Sequence, residues 1–63
     1  MSMTKEELMT TDEVARYLRL HPRTVTNMAE RGELLASKVG RHWRFRKSDV
    51  DAYVDRQRPK KDQ

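Results

Sequence analysis

Residues 9–32 read MTTDEVARYLRLHPRTVTNMAERG, and the helix starts and stops inside them decide the fold. Thr10 and Glu13 have the S/T-x-x-E spacing of a capping box, in which each side chain satisfies the other residue's free backbone N–H. Met9 and Val14 stand at hydrophobic-staple spacing. Val14, Ala15 and Leu18 then share one face, so a helix is predicted from about Thr11 to Leu18. A second start follows at once. Proline is favoured at the first helical position, where its missing N–H costs nothing, and Pro22 fits there. His21 falls at the N-cap, a position that Ser, Asp, Asn or Thr fills better. Leu20 and Val25 repeat the staple spacing, and Val25, Met28 and Ala29 form the apolar stripe. Gly32 ends the helix as a left-handed cap. Only about three residues join the two helices, which forces the sharp corner of a helix-turn-helix.

Working outward toward the C-terminus, the period changes. Residues 34–39 (LLASKV) and 42–45 (HWRF) are short strand-like runs around Gly40-Arg41. A Gly-X pair between such runs fits a two-residue type II′ hairpin, although a longer loop would swap which side chains share a face. Trp43 and Phe45 alternate with His42, Arg44 and Arg46, so one face is apolar and the other basic. Arg46 to Asp49 lead into a third helix with Val50, Tyr53 and Val54 as its buried stripe. Asp49 and Asp51 sit in its first turn, where the macrodipole favours negative charge. Pro59 stops it. The expected core is Val14, Leu18, Leu20, Val25, Met28, Leu34, Val39, Phe45, Val50, Tyr53 and Val54. The expected fold class is α+β, mostly α: a winged helix-turn-helix with a two-stranded hairpin wing and a C-terminal helix. The domain should span residues 9–58, with a flexible leader at 1–8 and a flexible tail at 59–63.

Size and charge narrow the function classes. A chain of 63 residues is one small domain with no room for a deep substrate cavity, which argues against an enzyme. No cysteine is present, so there is no disulfide framework and no cysteine zinc site. His21 and His42 lie on different elements without zinc spacing, so neither a metal nor another cofactor is expected. No apolar run approaches the roughly 18 residues of a membrane span, and residues 1–7 do not resemble a signal peptide. A cytoplasmic location is expected.

The net charge of +4 is unevenly placed. Between Val14 and Ser48 stand nine basic residues and two acidic ones, a net of +7. The rest of the chain holds five basic and eight acidic residues, a net of −3. Lys38 to Lys47 contains five bases and no acid, with Trp43 and Phe45 among them. An aromatic-studded basic stripe is the footprint of nucleic acid. Aromatic residues are only 6% of the chain, which argues against a stacking sheet for RNA and leaves duplex DNA.

The second helix of such a pair is the one placed for the major groove. Arg23, Thr24, Thr26, Asn27 and Arg31 lie on its outward side. Arginine can pair with guanine O6/N7 or with phosphate, asparagine with adenine N6/N7, and threonine with the thymine methyl. The wing offers Lys38, Arg41, His42, Arg44 and Arg46 to phosphates, with Arg41 at the tip able to enter a minor groove. A structural alternative for Arg44 is an ion pair with Asp49 or Asp51. Trp43 is expected to cover the core rather than stack on a base.

The run from Leu8 to Val54 resembles the small excisionase-family DNA-binding domain, a winged helix-turn-helix related to the reader domain of MerR-like regulators. The resemblance rests on Leu8-Met9-Thr10-Thr11, Glu13-Val14-Ala15, Arg23-Thr24-Val25, Arg31-Gly32-Glu33-Leu34, Val39-Gly40-Arg41, Trp43-Arg44-Phe45 and Ser48-Asp49-Val50. It implies that Arg23, Thr26, Asn27 and Arg31 serve the major groove, and that Lys38, Arg41, His42 and Arg44 serve the neighbouring backbone or minor groove. His21 departs from the family's usual Ser cap. Thr26 and Asn27 stand where many members carry larger residues.

Two functions within DNA binding stay open at this point. One is a small transcription regulator, and the other is an excisionase-type architectural factor that assists a site-specific recombinase. A protein-interaction adaptor is a third reading of another class, and the clustering of the basic charge argues against it. The expected partners are double-stranded DNA, with adjacent copies of the same chain or a recombinase beside it. No membrane or small-molecule ligand is expected, and a nucleoid association in a prokaryote or phage follows.

Overall fold

A computed structural model describes residues 7–58. The chain runs β1 (Leu8–Met9), α1 (Thr11–Leu18), α2 (Pro22–Arg31), β2 (Ser37–Val39), β3 (His42–Arg46) and α3 (Lys47–Gln57). It is a small winged helix-turn-helix of class α+β, mostly helical, with one antiparallel sheet in the order β1-β3-β2. The expected leader lies outside the described residues except for Glu7 and Leu8, and the expected tail, with the stop at Pro59, lies outside them entirely.

The local signals explain the helix ends. The Thr10 amide donates to Glu13 Oε1 at 2.8 Å, and the Glu13 amide donates to Thr10 Oγ1 at 3.1 Å. That reciprocal pair fixes the first residue of α1. At the start of α2 the Arg23 amide donates to His21 Nδ1 at 3.0 Å, so histidine does supply a side-chain cap. Both helices close in the same way. Gly32 has φ 79°, and the Glu33 amide reaches back to the Met28 carbonyl at 2.9 Å. Arg19 has φ 60°, and the Leu20 amide reaches the Ala15 carbonyl at 2.8 Å. This is the Schellman closure, with glycine at the left-handed position of one helix and arginine at that of the other. The left-handed backbone at Arg19 makes the corner between α1 and α2.

The hairpin register follows from its loop. Val39 pairs with His42, Lys38 with Trp43, and Ser37 with Arg44. The loop is the two residues Gly40 and Arg41, with φ 68° at Gly40, where only glycine is free of strain. Directly paired residues share a face. Phe45, Trp43 and Lys38 therefore lie on the core side, and Arg44, His42 and Val39 lie on the outer side.

Every helix, strand β3 and the turn after α2 contribute to one core. Val14 and Ala15 come from α1, Val25, Met28 and Ala29 from α2, and Leu34, Phe45 and Val50 complete it. Leu18, Trp43 and Tyr53 pack at its edge, half-buried. Three expected core residues lie at the surface instead: Leu20 is 39% exposed, Val39 57% and Val54 43%. The two-residue loop turns Val39 to the outer face and puts Lys38 opposite Trp43. Leu20 follows the left-handed turn at Arg19 and so leaves the α1 stripe. The third helix presents only Val50 fully to the core, because its main packing is against β3.

Strand β1 is an addition to the expected hairpin. Leu8 pairs with Arg46 and Met9 with Phe45, and the Lys47 amide donates to the Glu7 carbonyl at 3.4 Å. The segment before the capping box thus extends the wing into three strands. Two residues are too few to show an alternation, so the sequence carries no strand signal there.

Candidate nucleic-acid interface

An open groove of about 630 Å³ runs between α2 and the wing. From α2 it is lined by Pro22, Arg23, Thr26 and Glu30, and from the wing by Lys38, Arg41, His42, Trp43 and Arg44. The start of α1 closes one end with Thr10, Thr11 and Asp12. The corner at Arg19 turns α2 so that it forms one wall of this groove, and the hairpin forms the other. Arg41 at the tip lines it, and so do His42 and Arg44, although the strand pairing sets those two on the outer side of the sheet.

Six of the ten expected site residues meet there: Arg23, Thr26, Lys38, Arg41, His42 and Arg44. Thr26 Oγ1 donates to the Pro22 carbonyl at 3.2 Å, which fixes its rotamer along the helix. Lys38 Nζ stands 4.9 Å from the centre of the Trp43 ring, within cation–π range. That contact, with the packing of Trp43 on the core, gives the tryptophan the structural role expected of it. Arg44 Nη1 donates to the Trp43 carbonyl at 3.2 Å. The guanidinium forms no ion pair with Asp49 or Asp51.

The other four lie elsewhere. Thr24 and Asn27 are exposed on α2 beside the groove-lining stripe. Arg31 is paired with Glu33 at 3.2 Å. Arg46 sits on the outer face of the sheet, in a second hollow of about 440 Å³ shared with Leu8, Val39, Asp49 and Arg44, which thus borders both hollows. Lys47, the last base of the Lys38–Lys47 run, is also withdrawn. Its Nζ bonds Asp51 Oδ2 at 3.0 Å and lies 5.2 Å from the centre of the Tyr17 ring. The Tyr17 hydroxyl donates to Asp51 Oδ1. Asp51 raises the Lys47 pKa above its ordinary value, first by the hydrogen bond and then by charge. The Asp51 pKa is lowered, first by the Tyr17 hydroxyl and then by Lys47.

Sequence reasoning missed Glu30 as a member of this surface. Its signal was present as helical spacing, since Glu30 stands seven positions after Arg23 and four after Thr26. Among the described residues no group of acids, histidines or cysteines is placed to hold a metal ion, and no helix is long and apolar enough to cross a membrane. The sequence matches the family model described as a helix-turn-helix domain over residues 8–58. No curated protein sequence matches the chain.

Proposed function

The chain belongs to the helix-turn-helix domain family, a family of DNA-binding modules, and on that premise we propose that it reads double-stranded DNA as a small transcription regulator. The second helix lies in the major groove, and the wing follows the neighbouring backbone or minor groove. One observation carries this reading: Arg23 of α2 and Lys38, Arg41 and Arg44 of the wing line a single open groove. Arg23 meets a guanine edge or a phosphate, Lys38, Arg41 and Arg44 neutralise phosphates, and His42 offers one a hydrogen bond. Thr24, Thr26 and Asn27 supply further base contacts from the exposed side of α2. Arg31 and Arg46 reach phosphates at the two margins, Arg31 by exchanging its Glu33 partner for one.

A second reading within DNA binding is the excisionase-type architectural factor. The motif resemblance to the excisionase family supports it as well as the regulator reading, and a neighbouring integrase gene would decide for it. In both readings a single module buries only about 600–1,000 Å² on DNA, so selective binding draws on adjacent copies of the chain or on a recombinase. The DNA-reading domain takes in residues 9–58, and the protein acts at the nucleoid, as a prokaryote's own protein or as that of a phage. No catalytic step is assigned to any residue.

Selection of bound sequences from a random duplex pool, followed by titration over salt, tests the proposal. About five neutralised phosphates give a slope near −4.5 for log affinity against log salt. Affinity that ignores salt, or the absence of any duplex shift, defeats it.

A further inference from the structure

Glu30 puts a carboxylate in a groove that the proposed ligand, a polyanion, would occupy. The two acids of the +7 segment behave differently. Glu33 is held by Arg31 at 3.2 Å. Glu30 is exposed and has no hydrogen bond or ion pair among the described residues, although Lys38, Arg41 and Arg44 line the same groove. It stands one residue before the end of α2 but on the side turned away from the core. At 3.6 residues per turn, Arg23, Asn27 and Glu30 form the stripe most directly opposite the buried Val25, Met28 and Ala29. Seven residues at a rise of about 1.5 Å place Glu30 about 10 Å along the helix from Arg23. For a helix lying along the duplex, at about 3.4 Å per nucleotide, that spans about three base steps.

A carboxylate that faces a phosphate opposes binding, whereas one that faces a cytosine accepts from its N4 amine. The outermost stripe of a groove-reading helix faces base edges. We propose that Glu30 is a specificity-determining residue, reading a cytosine about three base steps from the base that Arg23 meets. The inference rests on the proposed entry of α2 into the major groove. It also assigns the carboxylate a cost on every other sequence, because repulsion by phosphates weakens unspecific binding where no cytosine amine compensates.

The test runs the random-pool selection with the wild-type protein, Glu30→Gln and Glu30→Ala, each first confirmed to melt as the wild type does. The wild type should fix a cytosine at one position. Glu30→Gln should change that position to adenine, because an amide pairs with adenine N6 and N7. Glu30→Ala should leave it degenerate, losing about tenfold in discrimination there and keeping the rest of the site. Should all three proteins select one consensus while both variants bind every duplex more tightly by a common factor, Glu30 acts only by repelling phosphate and the inference is overturned with DNA binding intact. Should the wild type select no sequence and shift no duplex, the parent reading fails along with it.

Discussion

Two regions of the molecule use the same kinds of charged side chain in opposite ways. Where α1 meets α3, Tyr17, Asp51 and Lys47 satisfy one another by two hydrogen bonds and a cation–π contact. In the groove between α2 and the wing, Arg23, Arg41 and Glu30 make no ion pair among the described residues. The first region joins two helices with its charges. The second leaves Arg23, Arg41 and Glu30 in solvent, where a long flexible side chain loses rotamer freedom only when a partner arrives. The basic run of the sequence is therefore not one surface. Lys47 belongs to the fold, and Lys38, Arg41 and Arg44 belong to the groove.

The largest expected effect removes the frame that both regions share. Phe45 is fully buried and lies between Arg44 and Arg46 on the strand that carries the wing. Truncation of a buried Phe costs about 3–5 kcal/mol. A domain of this size holds only several kcal/mol in total, by the usual range of about 0.05–0.15 kcal/mol per residue. Phe45→Ala should therefore leave most of the protein unfolded at 25 °C, read by helical circular dichroism and thermal melting. A cooperative melt near the wild-type temperature would show that the wing and α3 do not depend on this anchor.

Arg23→Ala and Arg41→Ala come next, and they separate the regions. Both side chains are exposed and serve no fold contact that the structure records, so melting should stay as in the wild type. Duplex binding should fall, and Arg41→Ala should lower the salt slope by about one if its guanidinium meets a phosphate. Lys47→Ala is the matched control, because its charge is taken by Asp51 and should contribute little to the slope. Equal slope changes in Arg41→Ala and Lys47→Ala would erase the distinction between a paired and an unpaired base.

How much of this was legible in sequence depends on the range over which each signal acts. The capping box at Thr10 and Glu13, the proline start at Pro22 and the glycine stop at Gly32 act within one helical turn, and they place α1 and α2 as read. The arginine in the left-handed position at Arg19 was not legible, because glycine is the residue that announces that conformation and Arg19 adopts it without one. The exposure of Val39 depends on whether the hairpin loop has two residues, a fact that one strand cannot report about the other. For the candidate site, composition located the basic segment but not its partners. Arg31 with Glu33 is an i, i+2 pair just past a helix end, and Lys47 with Asp51 is an ordinary i, i+4 pair. Only the second had a spacing rule to find it. Glu30 went unread because an acid in a basic segment looks like noise until the groove it lines is seen.

The smallest expected effect lies in the paired region, and its sign is fixed by the two titrations. The Asp51 pKa is lowered, so its stabilisation is present above the ordinary carboxylate value of 3.8 and is lost as pH falls through the lower folded value. The Lys47 pKa is raised, so its share is present below 10.5 and is lost as pH rises through the higher folded value. Between those limits both contributions are complete. Asp51→Asn should then lower the melting temperature slightly at neutral pH, and the gap to the wild type should close in acid below pH 3.8. Tyr17→Phe should show part of the same effect, because the Tyr17 hydroxyl is the first cause of the Asp51 shift. Both groups are exposed, so solvent screens the pair and the gap should be small in ordinary salt. A gap that persists unchanged in acid would mean that Asp51 stabilises α3 without its charge, and the contrast between the two regions would then not be one of charge pairing.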